Sequence, residues 1–395
     1  MKRFISICRL ECFVWFAVIL AALLSCTGAS AQNPAPVTNV SFRNEIQHAI
    51  DRGLASLQSL QNTNGYWSTP DQPAVTALAL RAFKGEPTGK YTSSEPPWLK
   101  KGYNFILSCA KPDGSIAQSN LVTYNTSLCM MALLAANKPE YDGIVLKARR
   151  FLIGLQSDFG DKGKIDNVFD GGVGYGSKYE HSDMGNTLVA LEAIYHSKRL
   201  AADKSLAGEK DLNWEAAIHF LQNCQNLTAY NKESWASDDP KNAGGFVYYP
   251  GQSMAGSETN SATGRVALRS YGSISYAGML SYIYADLKRN DPRVLAVFNW
   301  LRRNYTVDEN PGMGPQGLFF YLHTMTKALN AYGVERLELS DGKAVDWRQV
   351  VAMRLINLQQ RDGSWQNENG RWWEKDPTLV TAYAVLALEM IYRAM

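Results

Sequence analysis

Two short polar stretches, one near each end of the chain, constrain the fold most: Gln61-Asn62-Thr63-Asn64-Gly65-Tyr66-Trp67 and Gln359-Gln360-Arg361-Asp362-Gly363-Ser364-Trp365. Each separates two apolar helical patterns. Before the second stretch, Val350, Val351, Met353, Leu355, Ile356 and Leu358 recur at the spacing of a half-exposed helix. After it, Leu379, Val380, Ala382, Tyr383, Val385, Leu386, Leu388 and Ile391 are apolar almost all round, which predicts a buried helix. Asp376-Pro377 opens that helix, because proline fits a first turn where its missing N–H costs nothing. One such pair cannot hide its apolar surface alone, and stacked copies are the usual remedy.

Further copies fill the chain from about Phe42 onward. A second starts at Trp98 and turns at Ala110-Lys111-Pro112-Asp113-Gly114-Ser115-Ile116, with Ala and Ile in place of Gln and Trp. A third runs over 148–156, then an insertion, Gly171-Gly172-Val173-Gly174-Tyr175, and an inner helix over 183–195. The fourth has 214–225, a long Gly/Ser/Asn-rich excursion with Gly244-Gly245-Phe246, and an inner helix over 273–287. The fifth has 294–305, Gly312-Met313-Gly314 and 318–332. Six helical pairs result, an all-α array with almost no strand. An open array needs polar terminal caps, yet the first and last copies match each other best, so a closed double ring is expected, one domain over 42–395. With 395 residues, 46% of them hydrophobic, the chain can bury such a core. A formal charge of +3 without a basic stripe argues against a nucleic-acid partner.

The chain opens with Lys2 and Arg3, an apolar run over 13–24, and Ala29-Ser30-Ala31, which reads as an export signal over 1–31 ahead of a polar leader, 32–41. Cleavage before Gln32 gives a soluble periplasmic or extracellular bacterial protein. Leu23-Leu24-Ser25-Cys26 also resembles a lipobox, and a lipid anchor on Cys26 would give membrane contact. Cys109, Cys129 and Cys224 lie in apolar helical patterns without metal spacing and are expected as buried free thiols.

Gln-x-x-x-Gly-x-Trp, preceded by Arg52-Gly53 and Ser56-Leu57, resembles the prenyltransferase/squalene oxidase repeat of squalene and terpenoid cyclases and of protein prenyltransferase β subunits. The resemblance implies an α/α toroid of inner and outer helix rings, with the starts of the inner helices facing a central cavity. The motif itself is read as structural: Gln bonds free backbone groups at a helix end, Gly permits the turn, and Trp packs over it.

Triterpene cyclases carry Asp-x-Asp-Asp-Thr, whose middle Asp protonates the substrate. The counterpart here is Asp183-Met184-Gly185-Asn186-Thr187, in which Gly185 holds the donor's place and Asp183 also reads as a helix N-cap. Prenyltransferases hold zinc with Asp-x-Cys and a later His. His323 resembles the His element, but the region around Tyr271 and Tyr276 has neither Asp nor Cys, so no metal and no other cofactor is expected.

His323 and Asp183 are therefore the candidate catalytic residues, with a hydrogen-bonded core histidine weighed against an acid/base role for His323. Tyr124, His181, Tyr271, Tyr276, Phe320, Tyr321, Trp373, Asp376 and Tyr383 are the candidate ligand contacts. The resemblance implies an exported, cyclase-like protein that binds or transforms an apolar, isoprenoid-type small molecule. The alternatives are a non-catalytic toroid that binds a glycan, lipid or protein, and an enzyme resembling polysaccharide lyases.

Overall fold

Helices alternate between two layers along the chain. In order they are α1 (Val40–Ser59) and α2 (Pro73–Lys84); a short α3 (Lys90–Ser93); α4 (Pro97–Ser108) and α5 (Val122–Ala136); α6 (Pro139–Gly154) and α7 (Met184–Ala201). Then follow α8 (Trp214–Asn223) and α9 (Gly272–Tyr284); α10 (Pro292–Arg303) and α11 (Leu318–Tyr332); and α12 (Trp347–Leu358) and α13 (Pro377–Ala394). This is a computed structural model, and it describes residues 40–177, 181–202, 210–259, 261 and 264–395; the expected export signal, Cys26 and nearly all of the leader lie outside them. Strand is confined to two small antiparallel hairpins, β1 (Ser257–Thr259) with β2 (Val266–Leu268), and β3 (Leu337–Glu338) with β4 (Ala344–Val345). Among the described residues no helix is long and apolar enough to cross a membrane.

The inner helices α2, α5, α7, α9, α11 and α13 each pack on the inner helices of the neighbouring copies, and α13 packs back on α2. The ring is therefore closed, the all-α α/α toroid expected from the matching first and last copies. Inner helices are buried on nearly every side, as their all-round apolar composition requires. Cys109, Cys129 and Cys224 are buried free thiols.

The repeated turn clips successive outer helices together. Gln61 Nε2 donates to the Gly65 carbonyl (2.9 Å) and to that of Trp98 at the head of the next outer helix (2.9 Å). Gln156 does the same for Gly171 and Asn213, Gln225 for Gly244 and Arg293, and Gln359 for Gly363 and Ala49. Trp67 and Trp365 are fully buried, and their indole N–H groups donate to the Leu57 and Leu355 carbonyls in the last turn of the preceding outer helix. Inner-helix hydroxyls complete the clip: Thr76, Thr126, Thr187, Ser275 and Thr381 accept the backbone N–H of Trp67, Ile116, Val173, Phe246 and Trp365. The second, third and fourth copies, which have lost the Trp, thus keep the hydroxyl.

The last copy joins the first through the same parts. Gly363 has φ +86°, and a Cβ there would stand 2.4 Å from the Arg52 carbonyl, so only glycine permits both the turn and this approach. Arg52 in turn donates to the Gln360 carbonyl at 2.5 Å, and the Trp365 ring fills the space over Gly53.

One outer helix starts earlier than its pattern indicated: α6 begins at Pro139 rather than near 148. Proline at its first turn and Glu140 and Asp142 beside the positive helix end favour this start, while the buried Arg149 interrupts the apolar stripe in the sequence.

Candidate functional site: a one-ended aromatic cavity

All six copies contribute to one cavity of about 330 Å³ at the end of the ring where the inner helices begin. Its wall takes Gln72 and Val75 from the first copy, Leu121 and Tyr124 from the second, and Tyr175, Asp183, Gly185, Asn186 and Val189 from the third. The fourth supplies Tyr248, Tyr271, Ser273 and Ile274, the fifth Phe320, and the sixth Trp372, Trp373, Leu379 and Tyr383. Every helical member lies in the first two turns of its helix.

Aromatic rings and neutral hydroxyls dominate the chemistry. Tyr124 and Tyr383, from α5 and α13, share a hydrogen bond between hydroxyls (2.8 Å), as do Tyr175 and Tyr248 (2.9 Å). Burial pushes the Tyr124 phenol up to about 12 and Tyr383, Tyr248 and Tyr271 higher still, so all stay protonated and serve as hydrogen-bonding groups. Asp183 is fully buried and caps α7: Oδ1 accepts the Asn186 N–H (2.9 Å) and Oδ2 the Asn186 side-chain amide (2.7 Å). Burial raises its pKa, and the bonds from Asn186 and Tyr248 offset that in part. Gly185 lies beside it, and a Cβ there would sit 3.2 Å from Asp183 Oδ1. The wall at Gly185 therefore carries no side chain.

Below the cavity the lumen is ionic. Glu192 on α7 pairs with Arg81 on α2 (3.7 Å) and with Lys327 on α11. None of these three helices neighbours another in the ring, so the triad spans the lumen itself. Burial pushes the Glu192 carboxyl up, but Lys327 and Arg81 outweigh it and hold the group at about 2. For Lys327 burial is the larger effect and its pKa is lowered despite Glu192, the expected imbalance where two cations share one buried anion.

Of the residues read from the sequence, Tyr124, Asp183, Tyr271, Phe320, Trp373 and Tyr383 meet on this wall. The others do not line it. His323 lies behind Tyr383, with the two rings stacked at 5.2 Å; burial, reinforced by Lys327 and Arg81, holds its pKa well below the usual value, so it is neutral. Tyr276 packs against Tyr321 (5.7 Å), whose hydroxyl points to the outer layer and donates to the Thr306 carbonyl. His181 packs on Tyr249 (4.3 Å), next to the lining Tyr248. Asp376 caps α13 and accepts the Ser68 hydroxyl. Sequence reasoning passed over Tyr248. Its signal was the repeat frame: Tyr175 and Tyr248 both stand two residues beyond the position that Trp67 occupies in the first copy.

No protein-family model matches the chain. Among solved structures it is similar to a substituted variant of the type II terpene cyclase MstE from Scytonema in complex with geranylgeranyl dihydroxybenzoate, its substrate, with TM-score 0.54 and 12% identity over 90% of this chain and 100% of that one. It is equally similar to an inactive variant of the α-1,6-mannanase GH76A of Salegentibacter sp. HEL1_6 bound to α-1,6-mannotriose, with TM-score 0.56 and 12% identity over 89% of this chain and 100% of that one. At such identity the likeness establishes the shared α/α toroid fold alone.

Proposed function

We propose that this protein is a binding toroid whose cavity receives the apolar chain of an isoprenoid-type molecule, without the proton transfer of a cyclase. The observation that carries this reading is the wall itself, which combines Phe, Trp, Val, Ile and Leu side chains with neutral tyrosine hydroxyls around Gly185. Asp183, the acid beside that gap, has both oxygens committed to Asn186. Pockets with apolar walls and a few polar groups are the usual small-molecule sites, and 330 Å³ lies at the small end of their range of roughly 300–1,000 Å³.

Calorimetric titration with geraniol, farnesol and mannotriose tests the reading. The prenols should bind with a negative heat-capacity change, the mark of apolar burial, and mannotriose should not. Mannotriose binding in the absence of prenol binding would refute it. The amino-terminal signal adds that the protein works outside the cytoplasm, soluble from Gln32 or anchored at a lipidated Cys26. Mass spectrometry of the mature N-terminus checks this, and an intact Met1 would contradict it.

A further inference from the structure

We propose that the cavity mouth is a second subsite that stacks a sugar ring on Trp373, beside Trp372, so that the natural ligand is a glycosylated lipid. This rests on the cavity reading. It begins with two residues that border the cavity, Trp372 and Trp373.

What stands at the mouth is unusual for this chain. The described tryptophans elsewhere are buried or half-buried, whereas Trp372 and Trp373 are 42% and 48% exposed and both border the cavity. Both also hold left-handed backbone, φ 54° and 67°, a conformation costly to any residue with a Cβ. Their own burial does not offset that cost. The next residue imposes it: buried Glu374 accepts the N–H groups of Phe319 (3.3 Å) and Phe320 (2.8 Å) at the head of α11, and the Asn367 side-chain amide at 2.7 Å. On the far side the Asp376 N–H returns to the Trp373 carbonyl (2.8 Å). A strained pair clamped at both ends and aimed at a cavity is the arrangement that functional sites preserve.

The surrounding polar groups indicate the class of head group. Asp376 stands three residues on, half-buried, with Ser68 on its carboxylate, and the Arg371 guanidinium lies 4.6 Å over the Trp372 ring, bonded to Gln316. An indole face suits the C–H face of a pyranose, while carboxylate and guanidinium suit its hydroxyls. A bare hydrocarbon end would use neither charge. An anionic head would meet the Asp376 carboxylate.

The test compares octanol, octyl β-glucoside below its micelle concentration and octyl phosphate, by calorimetry on the full chain and on Trp373→Ala, Trp373→Gly and Trp373→Tyr. On the wild type the glucoside should bind about tenfold tighter than octanol, the scale of one good ring contact. Trp373→Ala should erase that advantage, weakening the glucoside about tenfold more than it weakens octanol, while Trp373→Tyr should retain most of it. Trp373→Gly removes the ring and the backbone strain together, so it should lose the glucoside advantage without melting lower than Trp373→Ala. A glucoside no tighter than octanol, an equal loss for both ligands in Trp373→Ala, or an equal gain from octyl phosphate would overturn the glycosyl subsite and leave the cavity reading standing. Binding of none of the three probes would remove the cavity reading and this inference with it.

Discussion

The triad of Arg81, Glu192 and Lys327 sets up a stability experiment whose two arms should differ strongly. Glu192 balances two cations, so Glu192→Gln leaves Arg81 and Lys327 facing each other inside the ring with no anion. A carboxyl that titrates at about 2 instead of its ordinary 4.5 contributes about 3 kcal/mol at neutral pH, and breaking a buried pair costs about 3–5 kcal/mol, so the two estimates agree. Lys327→Met leaves a matched Arg81–Glu192 pair and removes an ammonium that burial already disfavours, and should cost about 1 kcal/mol. Urea unfolding at pH 7 reads both. The pH dependence follows from the sign of the shift: the folded-state pKa of Glu192 is depressed, so its contribution is present above pH 4.5 and disappears as pH falls toward 2. The wild type should therefore lose about 3 kcal/mol over that interval that Glu192→Gln does not lose. If Lys327→Met proved as costly as Glu192→Gln, or if Glu192→Gln kept the full acid slope, the triad would not be the balance described.

His323, buried and neutral, takes up a proton only on unfolding, so its share of stability is complete above pH 6.5 and falls below it; His323→Phe should narrow the melting-temperature gap between pH 7.5 and 5.5 and leave prenol affinity unchanged. Gln225 is fully buried, bonds two carbonyls and accepts the Tyr282 hydroxyl, whereas Gln359 is half-buried, so Gln225→Ala should cost about 2–3 kcal/mol and Gln359→Ala about 1 kcal/mol in urea midpoints; the reverse order would show that the seam between last and first copies carries more stability than its contacts indicate. Glu389 is buried with one oxygen unpartnered among the described residues, and burial holds its pKa well above 4.5, so it destabilises the fold as pH rises past that value; Glu389→Gln should raise the melting temperature at pH 8 and change it little at pH 4. A Gly185→Asp substitution brings a second carboxyl beside Asp183 Oδ1, and like charges there should cost about 1–2 kcal/mol at pH 7 and less at pH 4, read by thermal melts.

The ring was legible because its closure is written twice in the sequence. Gln61 and Gln359 head two strict copies of one clip, and the clip spans two copies at once: its Gln reaches the next outer helix, and its Trp fills the space left by a glycine such as Gly53. A last copy as well formed as the first therefore requires another outer helix for its Gln and Trp to engage, and the first copy supplies it. The start of α6 was not legible. Arg149 is buried through bonds to Ser197 on α7 and to Asp211, partners that no local pattern reveals.

At the site, the expectation that inner-helix starts face the lumen was sound but too coarse, because 100° of helix separates each residue from the next. On α11 Phe320 lines the cavity, so Tyr321 is turned toward the outer layer and bonds Thr306, while His323, at i+3, stays on the lumen side one turn deeper. On α9 Ile274 lines the wall, and Tyr276, 200° further round, packs between helices instead. Followed one step more, the same stripes find what composition hid. Phe320, His323 and Lys327 on α11, Asn186, Val189 and Glu192 on α7, and Val75, Leu78 and Arg81 on α2 each run from cavity wall to charge at spacings of three or four. Each charge taken alone reads as a solvated helix residue, and only a closed ring brings three of them onto one axis. An apolar end and an ionic end on the same stripes fit the proposed entry of an uncharged chain from the side of the inner-helix starts. That is the side on which Trp372 and Trp373 stand.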